Sequence, residues 1–255
     1  MARETKKTSG RPRWRAGLMW AGVPILCAST AFAAYKVHHY AVTSPSFILS
    51  REQPGALSIE GVRYATRSKI ARVFSADFDR SVFSTPLSER RRRLLAIDWV
   101  EDASVSRIWP GRLIVRVRER KPVAFVSFRS GVLLIDAHGV LLDPPAQSHF
   151  TFPVLRGVRE DQDEGQRAEC VRTLLRVQSE FGAHAGDISE VNAADPDNVG
   201  LVVRVEKRTV ELLMGDSDFG VRYQKFLNHY AEIRNHSPEG RIFDLRLEGR
   251  ITVKD

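Results

Sequence analysis

The sequence predicts an α+β protein carried behind a single N-terminal transmembrane helix. Three observations lead there. Ala16 to Tyr35 contains no Lys, Arg, Asp, Glu or His, and at about 1.5 Å per residue a helix of about twenty residues spans the roughly 30 Å hydrocarbon core of a bilayer. Beyond it, runs that alternate apolar and polar residues, the mark of half-buried strands, are interleaved with stretches of helical period. Between residues 56 and 121 the order of these runs is strand, helix, helix, strand, strand, and a longer mixed set follows. The expected organisation is a basic tail (1–15), a transmembrane helix (16–35), a linker (36–55), a first domain (56–121) and a β-rich second domain with flanking helices (122–255).

The tail carries Arg3, Lys6, Lys7, Arg11, Arg13 and Arg15 against Glu4, whereas only Lys36, His38 and His39 follow the apolar stretch closely. The positive-inside rule keeps this tail in the cytoplasm and sends the rest across. Two other readings of the segment stand beside a retained anchor. Ala31-Phe32-Ala33 offers a signal-peptidase site, and Cys27 suggests a lipoprotein signal, although Leu26 occupies a position where that signal wants a small residue. Pro24 is compatible with a membrane helix.

The formal charge of +8 resembles a nucleic-acid signal until it is divided. Five of those charges belong to the tail, so the translocated part is nearly balanced and needs no nucleic acid to explain it. Cys27 lies in the apolar segment and cannot pair with Cys170, so the extracytoplasmic part depends on its core. With 43% hydrophobic residues the chain can build one.

After a Ser- and Pro-containing connector, the first strand is Ala56 to Glu60, ending at Gly61. A short helix follows Thr66, with Ile70, Val73 and Phe74 at helical spacing. A second takes Thr85 as N-cap and Pro86 as its first residue, with Leu87, Leu94 and Leu95 on one side. Arg90 to Arg93 on this helix point in several directions, so they read as a solvated face. Ala103 and Val105 then alternate with polar neighbours, Pro110-Gly111 makes a turn, and Leu113, Val115 and Val117 alternate with Ile114, Arg116 and Arg118. The second domain continues with strands at Val123–Phe128, Val132–Ile135 and Val140–Leu142, and Phe152 to Gly157 reads as a connecting loop. An amphipathic helix spans Glu164 to Phe181, with Val171, Leu174, Leu175 and Val177 as its stripe and Cys170 as a buried small hydrophobe beside it. Strands follow at Ile188–Asn192, Val199–Val205 and Val210–Met214. Asp216 or Ser217 caps a helix holding Phe219, Tyr223, Phe226, Leu227 and Tyr230. Two last strands are expected at Ile242–Leu247 and Ile251–Lys254.

Catalytic patterns are scarce. No HExxH, CxxC or glycine-rich phosphate loop occurs, which leaves no expected catalytic residue, metal site or cofactor. Gly215-Asp216-Ser217 resembles the nucleophile block of some Ser hydrolases, but His229 and His236 stand in the wrong setting for a catalytic partner. No small-molecule substrate is expected.

At Ile97 to Phe125 the sequence resembles the bacterial cell-division protein FtsQ family, called DivIB in some bacteria. The matching residues are Trp99-Val100, Ala103, Val105 and Arg107, then Pro110-Gly111-Arg112-Leu113 and Glu119-Arg120-Lys121-Pro122-Val123-Ala124. Further matches are Leu134-Ile135-Asp136 with Gly139, Pro153 to Gly157, Val210 to Gly215, and Asp244-Leu245-Arg246. Their order makes a set of weak motifs specific. The chain departs from the family in having Ile97-Asp98 where Leu-Pro is common, and Leu247 where an aromatic residue often stands.

The resemblance implies a POTRA domain (β-α-α-β-β) ahead of a family-specific second domain. It also implies a retained anchor and a non-enzymatic role at the division septum, in the inner membrane with the C-terminal domains periplasmic. The implied partners are FtsB-like and FtsL-like bitopic division proteins and other divisome components, held so that septal peptidoglycan synthesis is positioned. Such partners would be caught at the last strands, where an edge leaves N–H and C=O groups open to an added strand. The resemblance transfers that site to Leu245, Leu247, Ile251 and Val253, with Arg246 and Arg250 as salt-bridging rim. The alternative is an exported POTRA-containing envelope protein with no part in division.

Overall fold

A computed structural model describes residues 14–146, 148–247 and 249–254, with side chains from Ile25 onward. α1 (Trp14–Thr43) is one helix of 30 residues. Nearly all of the expected basic tail, and the side chains of the first half of the expected anchor, lie outside the described residues. Among the described residues no helix is long and apolar enough to cross a membrane. The helix continues past Tyr35, so the start of the expected linker is helical. Its end is fixed by Ser81, whose Oγ donates to the Ala41 carbonyl at 2.8 Å.

The chain forms two compact units. The first holds the described residues up to Glu60, Arg67–Leu94 and Ser104–Arg116; the second holds Gly61–Thr66, Leu95–Ala103 and the described residues from Val117. The first carries β1 (Leu57–Glu60), α2 (Arg67–Arg72), α3 (Leu87–Leu95), and the larger parts of β2 (Val100–Ile108) and β3 (Arg112–Glu119), in the expected order. The sheet order is β1-β3-β2, and β1 lies parallel to β3 with Leu57 opposite Leu113 and Ile59 opposite Val115. Leu49, Ile70, Phe74, Val82 and Leu94 complete the core, and Ile114, expected on the wet face, is buried as well.

Two local readings of this unit are corrected. Arg90 is not solvated: it is buried, and its Nε and Nη2 donate to both Asp77 carboxylate oxygens at 2.6 and 3.0 Å. Arg90 lies three residues after Leu87 and four before Leu94, on the helix face that meets the core, while Arg91, Arg92 and Arg93 of the run stay exposed. The Asp77 hydrogen bonds outweigh burial and raise the Arg90 pKa above its ordinary value. Thr85 does not cap α3, which starts at Leu87; its buried Oγ1 has no hydrogen-bond partner among the described residues.

The second unit contains β4 (Pro122–Phe128), β5 (Gly131–Asp136), β6 (Leu141–Leu142), β7 (Val154–Arg156) and α4 (Glu164–Phe181). These are followed by β8 (Ile188–Asn192), β9 (Val199–Val205), β10 (Arg208–Gly215), α5 (Phe219–His236), β11 (Ile242–Asp244) and β12 (Thr252–Lys254). Its nine strands lie in the order β12-β11-β10-β9-β8-β7-β4-β5-β6. The apolar stripes of α4 (Val171, Leu174, Val177) and α5 (Phe219, Tyr223, Phe226) share one core with the inward residues Ala124, Val126, Leu155, Val191, Leu201, Val203, Leu212 and Met214. Cys170 is buried beside them, as expected.

The stretch expected to be a connecting loop is instead β7, parallel to both β8 and β4 in mid-sheet. Three residues between Pro153 and Gly157 are too few to display an alternating pattern, yet Leu155 is fully inside. Gly157 is required there: its φ is +94°, and a Cβ would sit 2.3 Å from the Ala194 nitrogen. β11 is also shorter than expected: it ends at Asp244, and the last bond to β10 is from Leu245 N–H to the Leu213 carbonyl at 2.9 Å.

Several residues of the recognised motifs serve as fasteners. The Glu119 carboxylate accepts the backbone N–H groups of Arg63, Tyr64 and Ala65 at 2.7–2.9 Å. Arg120 pairs with Asp136 at 2.9 Å, and Asp136 also accepts the N–H groups of His138 and Val140.

Candidate partner-binding edge

Among the described residues, β12 is paired only with β11, antiparallel, with Phe243 opposite Val253. It therefore ends the nine-stranded sheet, and the main-chain groups on its outer side face no neighbouring strand among the described residues. The loop that leads into it is set by one carboxylate. Asp244 receives Arg246 Nε at 2.9 Å and Nη2 at 2.6 Å, and Lys254 Nζ lies 3.4 Å away. These cations, Arg246 first, hold the Asp244 carboxyl well below the usual carboxylate range. Both ends of the segment from Leu245 to Thr252 are thereby gathered at one acidic side chain, and Gly249, at φ +75°, makes its turn.

Beside this loop lies a hollow of about 340 Å³, walled on one side by Leu245, Leu247, Gly249, Arg250 and Ile251 and on the other by Asp218, Val221, Arg222 and Lys225. Its mouth is apolar: Val221 is 71% exposed and Leu247 60%. Its rim carries three cations against the one acid Asp218: Lys225, Arg250 and Arg222, whose Nη1 also donates to the Met214 carbonyl. The arrangement suits a ligand that presents a strand edge, an apolar side chain and an acidic group.

The six residues expected at this site are not equivalent. Leu247, Arg250 and Ile251 line the hollow, and Leu245 forms its floor while being 5% exposed and part of the core. Arg246 turns away to Asp244 and to Asn198, which accepts its Nη1 at 2.9 Å. Val253 packs against the core from β12. Sequence reasoning missed Val221, Arg222 and Lys225. One signal for them exists, because Val221 is apolar but falls outside the Phe219-Tyr223-Phe226 stripe, with Lys225 one turn beyond it.

The wall they form depends on how α5 begins. Neither Asp216 nor Ser217 caps it. The N-cap is Asp218, left-handed at φ 57° and making no side-chain cap bond, and the first amide of the helix, Phe219 N–H, donates to Glu180 Oε2 of α4 at 2.7 Å. Gly220 permits this approach, since a Cβ there would lie 2.2 Å from the Glu180 carbonyl oxygen. Ser217 Oγ meets Asp216 Oδ1 at 3.0 Å, while the Nδ1 atoms of His229 and His236 bond carbonyls of their own helix. Among the described residues, no group of His, Cys, Asp and Glu could hold a metal ion.

A larger hollow, about 720 Å³, opens on the sheet face opposite the helices at Phe125, Val132 and Val154. The Arg156–Glu190 ion pair, 2.6 Å, lies across it.

Two family models match the chain in succession: "POTRA domain, FtsQ-type" over residues 54–120 and "Cell division protein FtsQ/DivIB, C-terminal" over residues 124–246. Leu247, Arg250, Ile251 and Val253 lie beyond the second match. Among curated relatives, the cell division protein FtsQ of Koribacter versatilis is 32% identical over 88% of this chain, which spans 64% of that protein's length. The cell division proteins FtsQ of Actinobacillus pleuropneumoniae and Shewanella oneidensis are 27% and 28% identical. They align with 89% and 95% of this chain and over 94% and 91% of their own lengths.

Proposed function

The chain belongs to the FtsQ/DivIB family of cell-division proteins, and on that premise we propose that it is a non-enzymatic scaffold of the divisome, anchored in the inner membrane by residues 16–35. The basic tail stays in the cytoplasm, and the POTRA unit and the C-terminal unit work on the periplasmic side at the septum. There the second unit captures a small bitopic division protein of the FtsB or FtsL kind and helps position septal peptidoglycan synthesis.

The observation that carries this reading is the open outer edge of β12 next to the apolar, cation-rimmed hollow. An extended partner segment satisfies the free main-chain groups of β12, places an apolar side chain between Leu247 and Val221, and sets an acid against Arg222, Lys225 or Arg250. Main-chain pairing supplies affinity, and the hollow selects the register.

The test is a membrane pull-down with the full chain and with a variant lacking residues 249–255. Loss of the FtsB-like partner from the truncated protein, with an unchanged circular-dichroism spectrum, is the expected result. Full retention of the partner moves the site away from this edge.

A further inference from the structure

The proposed function makes no use of an aromatic cluster in the first unit. Trp109 sits at the turn between β2 and β3, 66% exposed. Its ring is held edge-on against Phe47 at 5.4 Å and Phe83 at 5.3 Å. Phe47 in turn meets Tyr40 of α1 at 6.0 Å. Ile108, the residue before Trp109, and Val42 of α1 are exposed as well. Trp109 thus caps the buried Phe47 with one side of its ring and leaves most of its surface bare.

We propose that this cluster lies in the headgroup layer of the bilayer that holds α1, with Trp109 as an interfacial anchor that seats the first unit on the membrane. The inference rests on the reading of residues 16–35 as a retained transmembrane helix. Its geometric basis is the continuity of α1. The helix does not break after Tyr35, so Tyr40 stands only about 7.5 Å further along the axis. The headgroup region adds roughly 5–8 Å on each side of the hydrocarbon core.

The helix end cannot swing clear of the cluster. Ser81 Oγ holds the Ala41 carbonyl, and Ser44 N–H donates to the Tyr40 carbonyl at 2.9 Å. Trp109 is therefore one ring beyond Phe47, itself one ring from Tyr40, at the level where the indole's apolar body and its N–H donor both find what they need. Phospholipid headgroups and the glycerol region are the occupant. A protein partner at this face is the competing outcome.

The experiment uses the full chain with Trp109 as its only tryptophan (Trp14→Phe, Trp20→Phe, Trp99→Phe), reconstituted in phosphatidylethanolamine–phosphatidylglycerol vesicles. Trp109 emission is expected to be blue-shifted and to lose intensity when the lipids are brominated near the headgroup, with less loss when bromine is deep in the chains. Carbonate extraction runs in parallel. Release of the protein from the vesicles sinks the anchor reading and this inference together, whereas retention with red, unquenched emission overturns this inference alone. Because Trp99 donates to the Asp143 carbonyl and its loss can disturb folding, a second variant, Trp109→Cys in a Cys27→Ser background, carries a polarity-sensitive fluorophore through the same measurement. A water-like signal there is equally decisive against the proposal.

Discussion

Replacing Leu247 with lysine separates binding from folding. Burying a leucine completely is worth about 1.5–3 kcal/mol. In the free chain Leu247 is 60% exposed, so roughly that share, about 1–2 kcal/mol, remains to be gained when a partner covers it. The new ammonium joins Arg222, Lys225 and Arg250 on the same rim, and it can neither fill the hollow nor relieve their mutual repulsion. An acidic substitution is a poorer probe, because those cations would partly accept it. The expected cost is a 5- to 30-fold rise in Kd for the isolated extracytoplasmic segment of the FtsB-like partner. Stability should move by no more than about 0.5 kcal/mol, since the side chain is already in water. Calorimetric titration of the detergent-solubilised chain gives the first number and thermal unfolding the second. An unchanged Kd at unchanged stability refutes the assignment of the hollow.

Two further predictions concern the fold. Arg90→Ala strands the buried Asp77 carboxylate and should destabilise the first unit by about 3–5 kcal/mol, read as amide hydrogen exchange in α3 faster by two orders of magnitude or more. The double replacement Arg90→Met with Asp77→Leu should restore most of the protection, and failure to do so would mean that the pair does more than neutralise itself. Asp244 makes the loop before β12 acid-sensitive. Its folded pKa is depressed, so its contribution is present above the unfolded value of about 3.9 and fades as pH falls through the lower folded one. Asp244→Asn should therefore be less stable than the parent near neutrality, and the difference should shrink below pH 4; a constant difference across that range argues against the linkage.

What the sequence disclosed followed the length of each pattern. α4 was legible from end to end because eighteen residues display their period. The β2–β3 turn was legible because Pro110-Gly111 permits little else. β7 was not, since Val154 to Arg156 is too short to alternate visibly. Arg90 was hidden by its neighbours: a run of four arginines advertises solvent, and only the Leu87-Arg90-Leu94 spacing betrays the inward one. The site was half readable. Resemblance pointed to the residues around β12, but the opposite wall is supplied by α5, and no local pattern links Val221 to Leu247. The motif residues Glu119, Asp136 and Asp244 are all fasteners of loops, which is why they were recognisable while the hollow itself was not.

The bond from Phe219 N–H to Glu180 gives the site an unexpected dependence. The Val221 wall hangs from α4, a helix that contributes no residue to the hollow, while the opposing wall hangs from the sheet through Asp244. The width of the opening is thus the gap between two independently suspended parts. A change at Glu180, which lines no part of the hollow, can reset that gap, so under the proposed function the tail of α4 tunes the fit of a partner as much as the lining residues do.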